Sequence, residues 1–165
     1  GDKGSQTETK TTVGTEIDDT VITTKVKSAL LKDTGLESLD IKVETRKGVV
    51  QLSGFVESQN QMDRAMTVAQ GIDGVSNVDN KIRIKTKDAS VGAKIDDSVI
   101  TTKVKAEFIN DPIIKSFDIG VVTRDGEVQL SGFVEDQIQV DRAIEVARRV
   151  EGVKNVLDDG LSIKK

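Results

Sequence analysis

The stretch VQLSGFVE, residues 50–57, decides the fold, because it returns unchanged as residues 128–135. A phrase repeated whole at an offset of 78 makes the chain a tandem repeat, and a repeat sets the architecture before any local pattern does. Upstream, IDDTVITTKVK (17–27) comes back as IDDSVITTKVK (95–105). The offset holds from Ile17 to Val78, with 37 of 62 aligned positions identical. One residue is then inserted, so that Ile82 and Ile84 align with Leu161 and Ile163. Common descent explains such identity, which therefore does not by itself mark functional residues.

The repeated phrase reads as a strand that buries Val50 and Leu52 and then meets Gly54. A glycine inside a strand signals a bulge or a close backbone approach, and a bulge would let Phe55 and Val56 both find cover. Just before it, Ile41, Val43 and Thr45 alternate with Lys42, Glu44 and Arg46, the period of a strand with one buried face. Lys47-Gly48 and Asp125-Gly126 supply the hairpin turns, which need positive φ at both central positions.

Helices flank each hairpin. Asp18 or Asp19 caps the first, whose stripe is Ile22, Val26, Ala29 and Leu30. Ile100, Val104 and Phe108 repeat that stripe, and Asp111-Pro112 ends the second-copy helix. Ser58 with Gln61 three residues on starts another helix as a capping box. Its stripe is Ala65, Val68, Ala69 and Ile72, with Gly74 placed to terminate it. The matching positions are Ala143, Val146, Ala147 and Val150, with Gly152. A last strand carries Val78, Ile82 and Ile84, and a helical crossover makes it parallel to the return strand. The fold class is thus α+β, two tandem αββαβ modules, each a three-stranded mixed sheet with two helices on one face.

The modules span 17–85 and 95–165, each about 70 residues and large enough to fold alone. Residues 86–94, TKDASVGAK, read as a linker. Residues 1–16 hold five Thr and three Gly with little to bury, the composition of a disordered tail.

The chain has no His, Cys, Trp or Tyr. That removes Ser-His-Asp and Cys-His catalysis, the common zinc ligands and disulfides. Carboxylates and lysines remain for acid–base chemistry, yet no calcium loop, Walker-type loop or nucleophile elbow occurs. The expectation is a protein that is not an enzyme and takes no cofactor. No window approaches 18 apolar residues, so no transmembrane segment is expected. The start at Gly1 without Met is compatible with a processed, exported protein or with an N-terminus left by recombinant expression, and a lipid anchor would need a residue absent from this chain.

Seven positions in each copy carry a family pattern, V-x-L-x-G-x-V followed by a helix and G-V-x-x-V. They are Val50, Leu52, Gly54, Val56, Gly74, Val75 and Val78, then Val128, Leu130, Gly132, Val134, Gly152, Val153 and Val156. Over residues 17–165 the chain resembles tandem BON domains of periplasmic osmotic-stress proteins. The resemblance implies a periplasmic, non-catalytic protein of osmotic and envelope stress, chaperone-like, with anionic phospholipid or exposed client proteins as partners. The alternative is a structural adaptor that recognises one protein partner through its paired modules. A net charge of −4, four aromatic residues and no G-x-x-G loop argue against nucleic acid.

Two surfaces stand out for binding. With helices on one sheet face, the other face of each module should be open unless something covers it. In the first module it carries Lys42, Arg46, Lys81, Arg83 and Lys85 with Glu44 the one acid, a cationic surface suited to an anionic ligand. The second module has Gly120, Arg124, Ser162 and Lys164 there, with Val122 for Glu44. Solvated lysines that deter edge pairing are the competing reading. The first module is neutral and the second carries −4, so only a local patch could hold an anion. The second surface is Lys103, Lys105, Phe108 and Ile109, followed by Ile113, Ile114 and Phe117. Basic residues beside bulky apolar ones suit an interfacial lipid contact. Phe108 and Phe117 align with Leu30 and Leu39, however, and core packing competes for them.

Overall fold

The computed structural model describes residues 17–36, 39–85, 95–114 and 119–164. The expected tail (1–16), the expected linker (86–94) and Phe117 lie outside the described residues. Module 1 comprises α1 (Asp19–Lys32), β1 (Ile41–Arg46), β2 (Val49–Val56), α2 (Gln59–Gln70) and β3 (Asn77–Ile84). Module 2 repeats the order with α3 (Asp97–Asn110), β4 (Gly120–Arg124), β5 (Glu127–Val134), α4 (Gln137–Arg148) and β6 (Asn155–Ile163). In each sheet the return strand is central, antiparallel to the strand before it and parallel to the strand after α2 or α4. The α+β class and the mixed three-stranded sheets are as the sequence implies.

Each module closes over its own core. Ile22, Val26 and Leu30 of α1 meet Val43, Val50, Leu52 and Val56 of the sheet and Ala65 and Ala69 of α2. Ile100, Val104 and Phe108 occupy the same places in module 2, with Val121, Val128, Leu130, Ala143 and Ala147. Alanine on the second helix lets it lie close against the sheet. Asp18 caps α1 through the Thr20 N–H, while Asp19 turns the other way and accepts from the hairpin amides of Lys47 (2.7 Å) and Gly48 (3.0 Å). Asp97 holds the Asp125-Gly126 turn in the same manner. Lys47 and Asp125 have φ of 51° and 53°, and the glycines that follow are also positive, so both turns have the conformation the dipeptides call for.

One expectation is decided between its two alternatives, and two need correction. Gly54 sits in an unbroken register, opposite Ile41 on one side and Ile82 on the other, so it makes no bulge. Its φ is +113°, and a Cβ there would run into the Asp40 carbonyl, so close approach is the reason for the glycine. The bulge lies in β6 instead, where Gln129 pairs with Leu157 and Ser131 with Gly160, which absorbs the residue inserted in the second copy. Gly74 does not end α2, which is capped at Gly71 with helical φ. Gly74 takes φ +94° in the turn toward β3, where a Cβ would press on Ile17 and Ile22 at 3.0 and 3.1 Å. Finally, the sheet faces away from the helices are not open. They pack against each other.

Candidate functional surfaces and the interface between modules

Side chains alternate across a strand, so those of β2 that avoid the core, Gln51, Ser53 and Phe55, share the opposite face. Gln51 and Ser53 meet the Gln129–Gly132 stretch of β5, and Phe55 meets Arg124 of β4. The Gln51 side-chain oxygen accepts from the Gly132 N–H at 2.8 Å, and that of Gln129 accepts from the Gly54 N–H at 2.5 Å. Ser53 and Ser131 hydroxyls bond to each other at 2.8 Å. The amide ends are satisfied too, Gln51 Nε2 donating to Ser162 Oγ and Gln129 Nε2 to the Lys81 carbonyl. Both glutamines are 1% exposed. Buried amides are tolerated only when their donors and acceptors are matched, as here. Phe55 and Val122 are buried on this side, apart from either core. Arg124 lies 5.8 Å from the Phe55 ring centre and donates to the Lys85 carbonyl.

The cationic strip is arranged around the rim of this interface rather than on a free plane. Lys85 meets Glu127 at 3.7 Å and Arg83 meets Asp159 at 3.0 Å, both across the module boundary. Lys42 and Lys81 lie near Asp40 and Asp79 of their own module at 3.7 and 3.8 Å. The Lys42 stem also passes over Gly120. Arg46 lines a cleft of about 360 Å³ between modules with Thr23, Phe133 and Lys164. Thus the strip finds acids of the same chain. The open-face expectation fails because module 2 covers the face.

The second candidate surface divides. Phe108 is buried in the module 2 core, as Leu30 is in module 1. Lys103, Lys105 and Ile109 are exposed on α3, and Lys105 and Ile109 lie one turn apart on the same side. Ile113 follows α3, and Gln139 of α4 donates to the Ile114 carbonyl, which brings the start of α4 and its Ile138 to the same end of the module. Ile109, Ile113 and Ile138 are 60%, 44% and 66% exposed. Module 1 has Leu31, Gly35 and Asn60 at these places. Ile138 escaped the sequence reading because a lone isoleucine at the start of a polar helix has no periodic partner. Its signal was the difference between copies.

Asp33 and Asp111 follow the first helix of each module, and the sequence reading took Asp111 only as the end of its helix, without the ion pair it makes. Arg64 donates to Asp33 at 2.6 Å and Arg142 to Asp111 at 2.7 Å, fastening one helix to the other. The bond from Arg142 holds the Asp111 carboxyl below its ordinary value against the upward push of burial, with help from the Ile113 and Ile114 N–H groups. Arg64 does the same for Asp33. Lys164 lowers Glu135 by a 2.8 Å hydrogen bond. These are structural ion pairs, and among the described residues no three acids converge as metal ligands. Nor is any described helix long and apolar enough to cross a membrane.

Comparison with known proteins agrees with this architecture. The sequence profile of the BON domain matches residues 18–86 and again 96–165. The chain is 45% identical over 148 residues to osmotically-inducible protein Y of Escherichia coli K12, covering 89% of this chain and 74% of that protein. It is 34% identical over 147 residues to the outer membrane lipoprotein DolP of Haemophilus influenzae, covering 88% and 75%. A 21 kDa hemolysin of Actinobacillus pleuropneumoniae is 37% identical over 145 residues, covering 87% and 74%. With two matched copies, a shared αββαβ order and these relatives, the chain belongs to the BON domain family as a tandem, two-domain member.

Proposed function

We propose that this protein is a non-catalytic osmotic- and envelope-stress protein of the periplasm that contacts anionic phospholipid peripherally through the α3 end of module 2. The observation that carries the reading is the exposure of Ile109, Ile113 and Ile138 at one end of that module, with Lys105 one turn from Ile109, while Lys103 lies toward the far end of α4 with Arg149 and Glu151. Apolar side chains that enter the acyl boundary, with lysines at headgroup level, are the components of an interfacial contact. Module 1 keeps one exposed apolar side chain of the three, Leu31, with Gly35 and Asn60 at the other two places, so the full patch belongs to one module. The names of the relatives, one osmotically inducible and one an outer membrane lipoprotein, support an envelope setting.

Sedimentation with phosphatidylglycerol and phosphatidylcholine vesicles tests it. The parent should bind the anionic vesicles. Ile109→Ser with Ile138→Ser should weaken binding by about tenfold or more, since each buried isoleucine is worth about 1.5–3 kcal/mol. Unchanged binding in that variant would overturn the site. A chaperone-like reading uses the same surface. It takes precedence if the parent ignores vesicles yet holds an unfolded outer membrane protein soluble, and the double variant does not. The adaptor reading draws on the packing of the two modules into one unit.

A further inference from the structure

The contact between modules has approximate two-fold symmetry. Gln51 binds Gly132 as Gln129 binds Gly54, and Ser53 meets its own repeat-mate Ser131. An interface in which each patch meets its equivalent is isologous, the form that copies of a protein use to pair. Nothing in these central contacts requires that both modules belong to one chain. The cores on either side are separate, so parting the sheets opens neither.

The centre is the same in both modules, but the rim is not. Module 1 brings Arg83 and Lys85 to the boundary, and module 2 brings Asp159 and Glu127. At the positions of Asp159 and Glu127, module 1 has no acid: Val49 stands at the place of Glu127, and Asp159 lies at the inserted residue of β6. Two copies of module 1 placed face to face would set bases against bases without those acids. Charge complementarity at an interface selects the partner more than it adds strength.

We propose that this sheet face is a docking surface for a second copy of the chain, module 1 of one molecule seating on module 2 of another to give an exchanged dimer. The dimer keeps both interfaces and forfeits only the proximity of modules in one chain, an effective concentration in the mM range for short connections. Exchange should therefore be populated when the chain refolds at high concentration and trapped as the sheets close. The proposal is independent of the lipid site, which lies on the helical side of module 2.

The chain has no cysteine, so single thiols report pairing directly. Full-length Ser53→Cys and Ser131→Cys chains are mixed, unfolded, refolded at high concentration and oxidised mildly. The 53–131 cross-link should exceed 53–53 by about fivefold or more at low salt, and the excess should shrink at about 1 M salt, where the Debye length is near 3 Å. The double variant, refolded dilute, should close the bond within one chain. Native mass spectrometry of the unsubstituted chain, refolded the same way, should show the dimer. Absence of both interchain 53–131 product and dimer overturns the exchange. Equal 53–53 and 53–131 yields overturn the charge selection. Failure of the double variant to close its internal bond overturns the interface itself.

Discussion

Gln51 and Gln129 each reach across the module boundary to the glycine amide three residues beyond the other, at 2.8 and 2.5 Å. The positive φ of Gly54 and Gly132 leaves those N–H groups to the opposite module. One motif thereby does two jobs. Val50, Leu52 and Val56 build a module's own core, while Gln51, Ser53 and Phe55 join it to its neighbour.

Gln51→Ala leaves the buried Gly132 N–H without its acceptor. An orphaned buried donor costs about 1–3 kcal/mol, so thermal unfolding should shift down by that amount. The drop should appear with near-native circular dichroism, since no core side chain has changed.

Gly54→Val should destabilise by more than about 1 kcal/mol, from positive φ and from the clash with the Asp40 carbonyl. A wild-type melting temperature for this variant would contradict the close approach.

Much of this was legible in the sequence. Apolar stripes at helical spacing gave Ile22, Val26 and Leu30 their places, and alternation gave Val43, Val50 and Leu52 theirs, because burial beside helices selects by residue type. The covered face was not legible, because Gln51 and Ser53 are polar residues that look solvated. Their partners are another copy of themselves, 78 positions away, and hydropathy carries no record of that. The retention of Gln and Ser in both copies, next to a Phe of the wrong parity for the core, was the available signal. Gly74 misled for a related reason, since a glycine past a helix reads as a cap whether the positive φ falls at the cap or in the following turn.

Asp111 supports acid sensitivity of module 2. Its carboxyl sits below the ordinary value in the folded state, so the stability it contributes is fully present above the unfolded value of about 4. That contribution is lost as pH falls through the lower folded value. Asp111→Asn should flatten the acid limb of a stability–pH curve. Arg142→Met should lower the melting temperature more than Arg64→Met does, because Arg142 is 27% exposed and Arg64 56%.

Asp19→Ala frees the Lys47 and Gly48 amides, and Asp97→Ala those of Asp125 and Gly126. Each should speed amide exchange at its own hairpin turn by about tenfold, a local loss of roughly 1 kcal/mol or more, and leave the other module's turn unchanged.

The central claim is that the two sheets close on each other through reciprocal glutamine–glycine bonds, and amide hydrogen exchange at Gly54 and Gly132 in the full chain tests it most directly. The account predicts that both amides are protected, and that Gln129→Ala releases Gly54 while Gln51→Ala releases Gly132. Exchange at either glycine that ignores the glutamine of the other module would contradict it.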